Sequence, residues 1–188
     1  MLEVLRSLQF AAVAERAAAR RSSAGDVSEP AEALLNAALA VCAQKLEPGG
    51  DRDVIGRMRE GDGAACGYYR AALAARVAAY LGEREQSVKS AYLFDYDAAS
   101  DEEGEECATP TSPVRLVVHV SEKTGALGAL IQSLDSALTG QHARLVGTPE
   151  LAHLLEAHVV DDAEAEARTG YGALLSARHR RPLQVWKR

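Results

Sequence analysis

The sequence predicts an α+β (α/β) protein, with a helical N-terminal part followed by a core in which strands and helices alternate around a small mixed sheet. Three observations carry this. Of 36 alanines, 21 precede residue 81, and alanine has the highest helix propensity. In that same stretch the leucines and valines recur at helical spacing. Beyond it, two runs rich in β-branched and aromatic residues, Ser90–Phe94 and Val114–Val120, read as strands.

The first helix is expected over residues 2–21, where Leu2, Leu5, Leu8 and Val13 line one side, and Arg20-Arg21-Ser-Ser-Ala-Gly ends it. The second begins near Ser28, taken as N-cap with Glu29 and Pro30 in the first turn. Its stripe of Leu34, Leu35, Ala38, Leu39 and Cys42 runs to about Leu46, and Pro48-Gly49-Gly50 stops it. A short helix fits Asp51–Arg59. A long one fits Ala64–Arg84, with Leu73, Val77, Tyr80 and Leu81 on one face. Val114–Val120, VRLVVHV, is apolar almost throughout, as in a strand covered on both faces. Gly125–Leu138 carries Leu127, Leu130, Ile131, Leu134 and Leu138 at helical spacing. Then come a helical turn over 150–155, a strand over Glu156–Val160, and a helix from Ala163 to Ala177 capped by Asp161-Asp162. Leu183–Trp186 closes the chain as an edge strand. The organisation expected is a helical region over 1–62 and an α/β core over 63–188.

The chain is long enough to bury a core. At 47% hydrophobic and 26% charged residues, it is no collagen-like, low-complexity or fully disordered chain. No run approaches the roughly 20 apolar residues of a membrane helix. Glu3 and Arg6 break up the opening residues, so no secretory signal is read there and the cytoplasm is the expected location. The net charge of −6 is local: residues 95–106 hold seven acids, and the other 20 acidic residues face 21 basic ones. That balance speaks against a nucleic-acid partner. The acidic run reads as a solvated loop.

Cys42, Cys66 and Cys107 are widely spaced and form no CxxC pair, so neither a zinc site nor a disulfide framework is expected. Cys42 falls on an apolar stripe and reads as core. The string Gly61-Asp62-Gly63 to Gly67 lacks G-x-G-x-x-G spacing and a preceding strand, so it marks a loop entering a helix. His119, His142, His153, His158 and His179 form no HxxxH or HExxH pair, and no serine sits in a G-x-S-x-G setting.

Over residues 68–178 the element order, with Val88–Phe94 and Ser112–Val118 as first and second strands, resembles the minimal nucleotidyltransferase fold of the DNA polymerase β type. That family carries Gly-Ser after its first strand and two alternating aspartates on its second. A third carboxylate lies on the next strand. Together the carboxylates hold the Mg²⁺ ions for in-line phosphoryl attack. Here Asp95-Tyr96 falls at the Gly-Ser pair, Pro113 and Arg115 at the paired aspartates, and Glu156 or His158 at the third carboxylate. Proline cannot ligate a metal, and arginine keeps its positive charge at any ordinary pH. The resemblance therefore implies a nucleotidyltransferase-like core without the catalytic motifs. No catalytic residue and no Mg²⁺ are expected. A vestigial cleft of Asp95, Tyr96, Pro113, Arg115, Glu156 and His158 would take a nucleotide or another anion, or serve a protein partner.

Two other readings compete. Val114–Leu127 also resembles the start of an ACT domain, with Thr124 in place of the usual proline. That would imply an amino-acid-sensing βαββαβ unit with Arg144-Leu145-Val146 as a strand. Alternatively, the alanine-rich first 46 residues pack closely against a second copy or another protein, so a homo-oligomer or protein partner is expected.

Overall fold

The computed structural model describes residues 27–46, 51–94, 108–176 and 182–188. The expected helix over 2–21, Asp95, Tyr96, the acidic run and Cys107 lie outside the described residues. Within them the chain is α+β, with six helices and a four-stranded mixed sheet. Helix α1 covers residues 27–46. It is followed by α2 (Asp51–Arg59), α3 (Gly63–Arg84), β1 (Val88–Leu93), β2 (Val114–Val120), α4 (Gly125–His142), a π-helical turn (Ala143–Gly147), β3 (Leu155–Val160), α5 (Asp162–Ala167), α6 (Gly172–Leu175) and β4 (Leu183–Lys187).

The strand order is β3-β2-β1-β4. β2 runs antiparallel to β1 and parallel to β3, and β4 pairs antiparallel with the other side of β1. Helix α3 lies across β1, β2 and β4, and α4 packs on β3. Against them the sheet turns Leu93, Val114, Leu116, Val118 and Val120, all within 1% of complete burial. One continuous apolar cluster joins these to Leu127, Leu134 and Leu138 of α4, Leu73, Val77 and Leu81 of α3, and Leu35, Leu39, Val54 and Met58 of α1 and α2. The cluster thus runs across the expected boundary at Asp62/Gly63.

Local chemistry explains the ends. Gly61 takes φ +82°, and Asp62 caps α3 by accepting from the Ala65 N–H at 3.0 Å, so the glycine string is indeed a loop entering a helix. That backbone N–H, together with Arg57 at 2.6 Å, holds the Asp62 carboxyl below its usual range. Thr124 caps α4 through the Leu127 N–H. At the sheet's far edge Gly82 lets α3 sit against Trp186, since a Cβ there would overlap the indole. Arg188 donates to the α3 C-terminal carbonyls of Gly82 and Glu85, where a positive charge complements the helix dipole.

Four expectations are corrected. Ser28 is not an N-cap, because Val27 is already helical; its carbonyl and hydroxyl instead accept from Gln141. Residues 150–155 form no helical turn, because Asp135 of α4 takes the N–H groups of Leu154 and Leu155 and draws the chain out into β3. Arg144-Leu145-Val146 is not a strand but part of the π-helical turn, closed by Thr148 N–H to Ala143 O at 3.1 Å. The single helix expected over 163–177 is two short ones. Arg168 turns left-handed at φ +54° and Gly170 at φ +50°. This folds α6 back so closely on α5 that any Cβ at Gly172 would overlap the Glu164 carbonyl.

Candidate ligand site on the outer sheet face

Side chains alternate along a strand, so each residue between the core positions of β2 and β3 points away from α3 and α4. The parallel register sets Arg115 beside Glu156 and Val117 beside His158. Tyr92 of β1 lies opposite Val117, and Ser90 opposite His119. The Ser90 hydroxyl reaches the Tyr92 hydroxyl at 3.2 Å along the same face.

Arg115 Nε donates to Glu156 Oε2 at 3.0 Å, with both side chains about two-fifths exposed. The other carboxylate oxygen lies 3.3 Å from His158 Nε2, which must be protonated to donate to it. The His158 ring is stacked on Tyr171, with centroids 3.6 Å apart and planes 12° from parallel. Phe94 leans on both at 5.8 and 6.0 Å. The break between α5 and α6 brings Tyr171 there, and it remains exposed. Deeper along the face, Asp162 accepts from Lys89 at 2.6 and 2.8 Å and from His119 at 2.9 Å. The Lys89 ammonium, more than His119, holds the Asp162 carboxyl below its usual range. Lys123 pairs with Glu164 at 2.6 Å. The face therefore carries cationic, anionic and aromatic groups close together, with Arg115, Lys89, His119 and Lys123 each answered by a carboxylate.

Of the residues expected in the cleft, Arg115, Glu156 and His158 are brought into contact. Pro113 precedes β2, where its carbonyl accepts from Arg70 at 2.8 Å. With Glu156 it lines a cleft of about 820 Å³ between α4 and β3.

Sequence reasoning missed the aromatic partners Phe94 and Tyr171, and two further polar centres. Asp135 lies on the apolar face of α4, 9% exposed. It accepts from Leu154 N, Leu155 N and Thr139 Oγ1 on one oxygen and from His153 Nδ1 at 2.7 Å on the other. Its signal is legible in retrospect, as a carboxylate between Ile131 and Leu138 on an otherwise apolar stripe. His142, almost fully buried, donates from Nε2 to the Pro110 carbonyl at 3.0 Å and meets the Tyr69 hydroxyl at Nδ1 at 3.2 Å. A carbonyl only accepts, so Nε2 carries the proton and Nδ1 accepts from the tyrosine. Burial lowers the His142 pKa and raises that of Tyr69. This is a tie holding the chain before β2 onto α3 and α4.

Among the described residues the two cysteines, Cys42 and Cys66, behave as core. Burial pushes the thiols of Cys42 and Cys66 up to about 11, far from the thiolate a nucleophile needs. Among the described residues no group of three or more His, Cys, Asp or Glu could hold a metal ion, and no helix is long and apolar enough to cross a membrane. No protein-family model, curated protein or solved structure matches this chain.

Proposed function

We propose that the chain is a nucleotidyltransferase-like protein that has lost metal-dependent transfer. It works as a binding module for an anionic ligand with a planar ring, of which a nucleotide is the representative. The observation that carries this reading is the Arg115–Glu156 pair, in register on neighbouring parallel strands and 3.0 Å apart. The resemblance puts metal-binding carboxylates at these positions. A guanidinium in contact with the carboxylate already supplies the positive charge a metal would bring, and it repels a second cation.

The rest of the face suits the ligand. β1 and β2 are neighbours, as the reading requires. The guanidinium fork matches phosphate oxygens. The Phe94, His158 and Tyr171 rings offer a stacking surface for a base. The test is calorimetric titration of the whole chain with ATP and GTP, in EDTA and again in Mg²⁺. Binding in EDTA, weakened at least tenfold by Arg115→Ala and not strengthened by Mg²⁺, is the expected result. Binding that requires Mg²⁺, release of pyrophosphate, or no heat at millimolar nucleotide overturns the reading.

A further inference from the structure

The sheet has two edges, and β3 forms one of them. The Val114 N–H donates to the Leu154 carbonyl at 2.7 Å, and this fixes which backbone groups of β3 face β2. In a parallel ladder the bonding residues alternate, so Glu156, His158 and Val160 turn their N–H and C=O toward β2. Leu155, Ala157 and Val159 turn theirs outward. Asp135 takes the Leu155 N–H. The Leu155 carbonyl and both backbone groups of Ala157 and Val159 meet no further strand among the described residues. Natural edges are commonly blunted by lysine, proline or a bulge. The β4 edge has Pro182 before it and Lys187 within it, whereas β3, LEAHVV, has neither and pairs with β2 without a bulge.

Each face beside this edge is hollow. Toward the helices lies the cleft of about 820 Å³, floored by Ile131, Leu151, Leu155 and Ala157 and rimmed by Glu150. Toward the outer face lies a smaller one of about 410 Å³ beneath Tyr171, reached from Ala157 and Val159. Ala157 borders both. A strand laid along β3 would send successive side chains alternately into the two clefts.

We propose that the β3 edge takes up an extended peptide segment of a partner protein as a fifth strand. The segment carries an apolar residue for the helix-side cleft and a lysine or arginine two positions away. Charge complementarity selects that occupant. The carboxylates brought to the helix-side cleft are Asp135 and Glu150, against His153 alone as a base, while the Glu156 side chain turns to the outer face. Asp135 is already engaged, while Glu150 has no ion pair among the described residues and is exposed. Residues two apart on a strand share a face, so the basic side chain meets Glu150 while its apolar neighbour fills the floor.

The test pans a displayed heptapeptide library against the whole chain and measures the enriched peptides by fluorescence polarisation. The expected enrichment is an apolar residue and a Lys or Arg two apart. In ¹⁵N spectra the bound peptide should slow hydrogen exchange of the Ala157 and Val159 amides. Ala157→Pro removes an outward N–H and no bond to β2, and should weaken the peptide at least tenfold. Glu150→Lys, on the exposed rim, should weaken basic peptides tenfold without altering the circular dichroism spectrum. Enrichment without a basic residue, unchanged binding by Glu150→Lys, or protection at other amides overturns the proposal.

Discussion

On the side of the sheet turned to α3 and α4, Leu116, Val118 and Val120 are sealed from solvent within the apolar cluster. One residue along the same strand, on the other side, Arg115 and His119 are part-exposed and held by a glutamate and an aspartate. The two sides share backbone and register, and differ only in the parity of their residues. Burial of apolar area, at about 25 cal/mol per Å², places the stabilising weight on the helix side. Exposed ion pairs contribute about 0–1 kcal/mol each, so around the buried Val117 and Val160 the outer side can carry charge and rings at little cost to the fold. A ligand site can therefore change on one side while the core is kept on the other.

The comparison breaks most sharply at Leu116. Truncation to alanine on the sealed side should lower stability by about 2–5 kcal/mol, read from the midpoint of urea unfolding at constant slope. A loss below 1 kcal/mol would mean that the helix side is not the structural one.

A second, intermediate effect separates buried from exposed histidines by pH. His142 titrates lower in the folded chain than its ordinary 6.5, so the unfolded chain binds the extra proton. Its contribution is intact above about pH 6.5 and is lost as pH falls through that value toward the lower folded pKa. Stability should therefore drop as pH falls from about 6.5 toward the lower folded value. His142→Phe should lower stability at pH 7, because the Tyr69 hydroxyl and Pro110 carbonyl lose their partner, but should flatten the slope in that window. Thermal melts at half-unit steps of pH check both. An equal slope in wild type and variant would remove His142 as the cause.

The smallest effect is expected at the site itself. Arg115→Ala and Glu156→Gln should each change stability by no more than about 1 kcal/mol, with a coupling of similar size or less in a double-mutant cycle. A coupling of 3 kcal/mol would place the pair among buried ion pairs and make the outer side structural after all.

Much of the fold was legible in the sequence because it depends on local pattern. Asp51–Arg59 and Val114–Val120 have the boundaries their composition implies. Arg115, Glu156 and His158 are grouped in the sequence only by the family resemblance, and regular strand register then sets them side by side. What escaped depends on contacts between distant residues. Nothing within 150–155 shows that a carboxylate from α4 will capture its N–H groups. The alternating alanines and glutamates of 163–167 read on smoothly toward 177, yet the close approach at Gly172 selects a break. Tyr171 reaches His158 only by virtue of that break, so the aromatic part of the site was hidden along with it.

The π-helical turn after α4 has an evolutionary bearing. Closing a turn from residue 143 to 148 takes one residue more than an α-turn, which makes this stretch the structural equivalent of a single-residue insertion. Deleting that residue would restore a regular helix and rotate all that follows by about 100°. Val146 would then swing out of the core, and the Leu145 and Val146 carbonyls would leave the guanidinium of Arg59, which now holds them at 2.8 and 3.0 Å. An insertion clasped from a neighbouring helix in this way is hard to reverse.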